Sequence, residues 1–155
     1  MNKTVPTARM NDGNNIPVLG LGTWNLKGNT CKKITKKAVE MGYRHVDTAE
    51  MYNNESEIGE ALNNFDRDQL FLTSKVSPRN LHYEDLKKAC RNSLERLNTS
   101  YLDLYLIHWP NNSIPTSESM EAMNDLIDEE RVESIGVSNF TIEDLEEAME
   151  VSNVP

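Results

Sequence analysis

The stretch from Gly42 to Gly59 places an acid and a phenol in one polar segment. An apolar and aromatic run ends at Val46, Asp47 follows it directly, and Tyr52 stands five residues further on. A helical spacing of apolar residues then begins. We therefore expect a strand, a loop carrying both polar groups, and a helix. A free phenol titrates at about 10, so proton donation by Tyr52 near neutral pH requires a cation beside it.

Lys75 is the cation that the sequence offers, near the end of a second apolar run at 70–76. We expect its ammonium to lower the pKa of Tyr52. Asp47 should pair with Lys75 and fix its position. His108 ends a very apolar strand, where it could orient a carbonyl oxygen or assist proton transfer.

Asp47, Tyr52, Lys75 and His108 together could protonate an oxygen atom of a substrate while a separate group donates a hydride. No side chain can deliver hydride, so the cluster implies a nicotinamide cofactor. Each residue also has a plainer interpretation: Lys75 as a solvated strand end, His108 as a satisfied core residue, Asp47 as a turn residue and Tyr52 as packing. Four such residues in one consistent acid–base arrangement are harder to attribute to chance.

The elements that must position these groups follow a simple pattern. Asp12-Gly13 between apolar runs indicates a hairpin. Five strands are then predicted at 19–24, 43–46, 70–76, 101–110 and 134–139, each followed by a helix. Strict alternation predicts right-handed βαβ units and a parallel sheet, either an open doubly wound sheet or part of an eight-fold barrel. Polar residues at several strand ends favour the barrel, because they would converge at its mouth.

Finer features of these elements are also predicted. The fourth strand, 101–110, is apolar enough to be buried on both faces. Helix caps are expected at Asn29 or Thr30, at Thr116 and at Thr141. Apolar spacing predicts buried faces on the first helix (Ile34, Ala38, Met41), on the fourth (Met120, Met123, Leu126, Ile127) and on the fifth (Ile142, Leu145, Ala148, Met149).

Composition excludes several classes of function. The net charge of −9 argues against a nucleic-acid partner. No apolar run is long enough to span a membrane and no signal-peptide pattern opens the chain, so a cytoplasmic protein is expected. Cys31 and Cys90 stand far apart without metal-ligand spacing, and both are interpreted as buried thiols.

Several segments, taken in order, resemble the aldo-keto reductase family. They are Leu19–Trp24, Gly42–Gly59, Phe71–Lys75, Leu102–Pro110 and Ile135–Phe140, and the second is similar to a signature of that family throughout. The resemblance implies a (β/α)8 TIM barrel and NADPH-dependent reduction of small aldehydes or ketones. The short connection after Pro110 resembles the prokaryotic members.

The resemblance also implies roles for individual residues. Tyr52 would be the general acid, Lys75 and Asp47 would tune it, and His108 would orient the substrate carbonyl. Ser138 and Asn139 match positions that hold the nicotinamide amide, and Thr23 and Asp47 match positions near its ribose. Trp24 and Trp109 match apolar walls of the substrate pocket. No metal is implied.

The family barrel has roughly 250 residues or more, whereas this sequence ends after the fifth βα unit. Residues 1–155 are therefore predicted to form one incomplete barrel domain, with unpaired strand edges that favour self-association. Three functions stay open: an NADPH-dependent reductase, an inactive remnant of one, and a non-catalytic binding or regulatory protein.

Overall fold

The computed structural model describes residues 5–153. Residues 1–4 and 154–155 of the predicted 1–155 domain lie outside this range. The described chain opens with the predicted hairpin, in which β1 (Thr7–Arg9) pairs antiparallel with β2 (Asn15–Pro17). The Asn14 side chain donates to Ser134 Oγ at 3.0 Å, which ties the hairpin turn to the chain before the last strand.

Five parallel strands follow in simple sequence order. They are β3 (Gly20–Gly22), β4 (His45–Asp47), β5 (Phe71–Val76), β6 (Leu104–Ile107) and β7 (Ile135–Val137). The helices between and after them are α1 (Gly28–Glu40), α2 (Glu55–Leu62), α3 (Tyr83–Leu97), α4 (Thr116–Asp128) and α5 (Ile142–Val151). The predicted alternation of five strands and five helices is confirmed.

The helices form a single row, because each of α1 to α4 packs against the next helix in sequence. Strand order without reversal and one row of helices distinguish a barrel-type sheet from a doubly wound one. Within residues 5–153 the sheet stays open, since β3 and β7 each pair on one side only. The fold is therefore part of a (β/α)8 barrel.

The core lies between the sheet and this row of helices. Tyr105 and Ile107 of β6 are buried there, whereas Leu104 and Leu106, which alternate with them, are only partly buried. The prediction that this strand is buried on both faces is thus wrong for the described chain. Successive strand residues point to opposite faces, and only the helix-facing side of β6 is fully covered.

Helix α1 differs most from its prediction. It begins at Gly28, whose φ is +51°, after Lys27, and neither Asn29 nor Thr30 caps it. Its buried residues are Cys31, Thr35, Ala38 and Val39, whereas Ile34 and Met41 are 39% and 71% exposed. The apolar spacing predicted the helix correctly. The helix face that it marked as buried, however, is rotated relative to the face that is buried in the structure.

The last two helices give mixed outcomes. Thr141 caps α5 through a capping box with Asp144, as predicted. The predicted cap at Thr116 is wrong, because Thr116 is the first residue of α4 and Pro115 occupies the N-cap position. Met120, Met123 and Leu126 are buried on α4, as expected. On α5 only Ala148 is buried; Ile142, Leu145 and Met149 are exposed. Both cysteines are free and buried, in agreement with the sequence.

Candidate active site

The carboxyl ends of four strands bring the predicted polar residues to one edge of the sheet. Asp47 ends β4, Lys75 lies one residue before the end of β5, and His108 follows β6 directly. Ser138 follows β7 and donates its backbone N–H to Ile107 O at 2.9 Å. Parallel pairing with successive neighbours places all of these side chains on the face where barrel enzymes carry out chemistry.

Lys75 and Asp47 form an ion pair. The Lys75 Nζ atom lies 2.5 Å from Asp47 Oδ1 and also donates to Thr48 O at 2.8 Å. Lys75 is only 6% exposed, so its ammonium depends on these partners for the solvation it has lost. The pairing expected from the sequence is present, and it fixes the ammonium at the floor of the site.

Tyr52 ends a 3₁₀ turn, Glu50–Tyr52, in the loop between β4 and α2. Its ring centroid lies 5.3 Å from Lys75 Nζ and 5.5 Å from the His108 ring, which it meets edge-on at 78°. The structure therefore brings Asp47, Tyr52, Lys75 and His108 into one cluster.

The pKa of Tyr52 differs from its prediction. Partial burial, and then the nearby Asp47 carboxylate, raise the pKa of the phenol above its ordinary value of 10. The expected lowering by Lys75 is wrong for this structure, because burial disfavours the phenolate and the Lys75 ammonium is paired with Asp47, whose carboxylate also opposes ionisation of the phenol. Tyr52 is protonated at neutral pH, as an ordinary phenol also is.

His108 is 9% exposed, and burial followed by the Lys75 charge lowers its pKa below the usual 6.5. It is therefore neutral at pH 7. Its Nδ1 atom is buried and meets no hydrogen-bond partner among the described residues. A proton on Nδ1 would be a buried unpaired donor, so the favoured tautomer carries its proton on Nε2.

Ser138 and Asn139 form a small polar pair beside His108. Asn139 Nδ2 donates to His108 O at 2.8 Å and to Ser138 Oγ at 3.0 Å, and Asn139 adopts a φ of +61°. With the amide donors engaged, the pair presents Asn139 Oδ1 as an acceptor and the Ser138 hydroxyl as a donor. One acceptor next to one donor is complementary to a carboxamide, so these residues fit a nicotinamide.

Thr23 does not present its side chain to a ligand. It is fully buried, and its Oγ1 and backbone N–H both lie 3.0 Å from Asp47 O, to which they donate. The position of Thr23 near a cofactor ribose stays a prediction, and in this structure its hydroxyl and backbone N–H hold the backbone of Asp47. Trp24 and Trp109 are 70% and 50% exposed, so both indoles lie on the open face of the loops.

Sequence reasoning overlooked three buried or half-buried residues around this cluster. Glu50 accepts bonds from the loop after β5, and Asn54 bridges two loops. Glu55 is 1% exposed and accepts from Ser74 Oγ at 2.5 Å and from Arg96. Their position in the sequence could have identified them, because all three lie within three residues of Tyr52. Only Asp47 and Tyr52 were assigned roles from the sequence in this stretch.

Residues 5–153 also lack two other features. No group of three or more metal-ligating side chains is close enough to hold an ion there. None of the helices in that range has the length and apolar character needed to cross a membrane.

A barrel-type sheet with an acid–base cluster at its strand ends defines an enzyme-like site. The sequence model of the aldo/keto reductase family matches residues 18–155. The chain therefore belongs to the aldo-keto reductase family, as the sequence predicted.

Known proteins agree with this assignment. An aldo-keto reductase of Mycolicibacterium smegmatis is 40% identical over 154 residues, which are 96% of this chain and 55% of that protein. Among solved structures, the thermostable aldo-keto reductase Tm1743 with the inhibitor epalrestat has a TM-score of 0.91 and 42% identity, covering 97% of this chain and 60% of its own. A Bombyx mori aldo-keto reductase in complex with NADP has a TM-score of 0.87 and 32% identity, covering 97% and 56%. The chain thus spans little more than half the length of these relatives.

Proposed function

We propose that this chain carries the acid–base residues and the nicotinamide end of a site that reduces small aldehydes or ketones with NADPH. The observation that carries this proposal is the convergence of Tyr52, His108 and the Lys75–Asp47 pair at one edge of the sheet. The NADP bound to the Bombyx mori relative supports the choice of cofactor.

Tyr52 acts as the proton donor. A phenol is protonated at neutral pH, as a general acid must be before it transfers its proton, and the raised pKa of Tyr52 makes a cation beside it necessary during the transfer. After the proton has moved to the carbonyl oxygen, the phenolate is stabilised by the Lys75 ammonium, 5.3 Å from the ring centroid. Asp47 holds that ammonium in place and moderates its charge.

His108 orients the substrate. Its neutral imidazole, with the proton on Nε2, can donate a hydrogen bond to the carbonyl oxygen beside the Tyr52 ring. A neutral donor does not compete with Tyr52 for the role of acid. Trp24 and Trp109, both exposed, form apolar walls against which the remainder of a small substrate packs.

Ser138 and Asn139 hold the carboxamide of the cofactor, and Asp47 lies near its ribose. When bound, the nicotinamide supplies the hydride that no side chain can provide. Thr23 contributes indirectly, since its hydroxyl fixes the backbone of Asp47.

The test begins with a fluorescence titration of the purified 155-residue polypeptide with NADPH, followed by steady-state reduction of a panel of aldehydes. We expect saturable micromolar binding and turnover. Tyr52→Phe and Lys75→Met should each lower kcat by at least about a hundred-fold, the usual scale for general acid–base groups. Tyr43→Phe, which alters a phenol outside the cluster, is the control and should retain activity.

Absence of binding up to millimolar NADPH would overturn the proposal for this chain. Turnover that survives the loss of the Tyr52 hydroxyl would overturn the assignment of the acid.

A further inference from the structure

The loop that carries Tyr52 is closed on itself. Thr48 opens it after β4, and Asn54 ends it before α2. Thr48 Oγ1 donates to Asn54 Oδ1 at 2.9 Å, and both residues are 1% exposed. This buried bond joins the two ends of the loop at its base.

The side-chain amide of Asn54 forms hydrogen bonds with a neighbouring loop and does not cap its own helix. It occupies the N-cap position of α2, where Asn ordinarily accepts a bond from the helix backbone, yet its side chain makes no such cap within the described residues. Its Nδ2 donates to Thr23 O at 2.9 Å and to Leu26 O at 3.0 Å. Both of its amide protons therefore hold the β3–α1 loop against the Tyr52 loop.

Glu50 makes a second attachment on the opposite side. Its Oε2 accepts from the backbone N–H of Ser77 at 2.9 Å, and its Oε1 accepts from Asn80 Nδ2 at 2.7 Å. Ser77 follows Val76, the last residue of β5, so Glu50 joins the Tyr52 turn to the strand that carries Lys75.

We propose that Asn54 and Glu50 are positioning residues that together hold the Tyr52 phenol between His108 and Lys75. The inference rests on the proposed function, because holding the phenol matters only if Tyr52 donates a proton. Neither residue needs to touch the substrate, because each fixes one end of the five-residue segment 50–54, and Tyr52 is the middle residue of that segment. Proton transfer demands such placement, and a displacement of about 1 Å can cost a hundred-fold in rate.

Other charged groups face the same loop and are left unchanged by the test. Lys27 Nζ donates to Tyr52 O, and Lys75, which is paired with Asp47, and His108 both lie close to the Tyr52 ring.

The first experiment follows the phenol itself. The protein is labelled with [¹³Cζ]tyrosine, and Tyr52→Phe identifies the Tyr52 resonance among the five tyrosines. In Glu50→Gln, which keeps the size of the side chain but offers one acceptor oxygen in place of two, the Tyr52 pKa should move down toward 10 as the ring becomes more exposed. Asn54→Asp, which retains the acceptor for Thr48 but loses both donors, should also shift the Tyr52 ¹³Cζ resonance, while its new carboxylate opposes the fall in the phenol pKa.

Tyr83 and Tyr101, which lie outside the loop, should keep their wild-type titration curves. Unchanged curves for these two residues would show that the variant displaces Tyr52 without loosening the whole fold. The matched control is Asn63→Asp, at the other end of α2, where the side chain bonds to exposed Asn98. It should leave Tyr52 unchanged. If Asn54→Asp fails to fold, Glu50→Gln carries the test alone. A wild-type Tyr52 shift and pKa in folded Glu50→Gln would overturn the proposal.

A kinetic measurement separates this inference from the proposed function. If the polypeptide turns over aldehyde, Glu50→Gln should lower kcat by about tenfold or more while the Kd for NADPH stays constant. If the wild-type polypeptide shows no turnover, the proposed function fails, and the tyrosine titration still decides whether Glu50 and Asn54 position Tyr52.

Discussion

The Lys75 ammonium lies 5.3 Å from the centroid of the Tyr52 ring but donates its hydrogen bonds to Asp47 Oδ1 and Thr48 O. Lys75 therefore does not act on Tyr52 as an isolated cation. Burial raises the pKa of Tyr52 first, and the Asp47 carboxylate that accompanies the ammonium raises it further.

Removal of the Asp47 charge should lower the pKa of Tyr52. The carboxylate opposes ionisation of the phenol, whereas the Lys75 ammonium favours it, so Asp47→Asn takes away the opposing charge alone. A ¹³Cζ titration of Tyr52 in wild type and variant measures the shift. Asp128→Asn, on the exposed end of α4, is the control, and a higher Tyr52 pKa in Asp47→Asn would contradict this account.

Acid should destabilise the protein partly through His108. Its folded pKa lies below 6.5, so the unfolded chain binds a proton at a higher pH than the folded chain does. The stability contributed by neutral His108 is complete above pH 6.5 and declines as the pH falls from there toward the folded pKa. Urea unfolding at several pH values should show a shallower decline for His108→Asn than for wild type. Identical slopes would count against the lowered pKa.

Gly59 should tolerate no side chain, because α2 and α3 approach each other closely there. A Cβ at Gly59 would lie 2.6 Å from Arg96 O and 2.7 Å from Leu97 C, which are backbone atoms that cannot rotate away. Gly59→Ala should lower the free energy of unfolding by about 1–3 kcal/mol, the range for overpacking, as measured by urea denaturation. Gly22→Ala is the matched control, since a Cβ there meets no atom within 4 Å among the described residues. Equal effects of the two substitutions would refute the explanation.

The 155-residue polypeptide should self-associate. In the described chain β3 and β7 each have an unpaired edge, and beside β7 the α5 residues Ile142 and Met149 are 76% and 56% exposed. Unpaired edges next to apolar surface promote pairing between chains. Light scattering at micromolar concentration should give a mass above the 17.7 kDa of one chain.

A charge on the exposed apolar face of α5 tests the cause of that association. Met149→Lys should shift the distribution toward monomer, whereas Glu146→Lys, elsewhere on the same helix, should have less effect. A single sharp monomer peak from the wild-type polypeptide would reject the prediction.

Local patterns in the sequence were sufficient to determine the order of elements and the positions of several site residues. Strands and helices differ in their apolar period, so five βα units could be recognised, and a polar residue after an apolar strand must lie at its carboxyl end. Asp47, Lys75 and His108 were found in this way, and the Thr141 cap followed from residue type alone. The same segments were sufficient to identify the family.

Tertiary structure decided what depends on distance and on neighbours. The direction of the Tyr52 pKa shift follows first from its burial and then from Asp47, and the sequence does not show the burial or the distance between the two side chains. The exposed face of α5 and the partly buried face of β6 depend on which elements pack beside them. The hydrogen bonds of Asn54 and Glu50 are made to loops that are distant in sequence. Electrostatic and packing energies are set by separations in space, and spacing along the chain does not determine them.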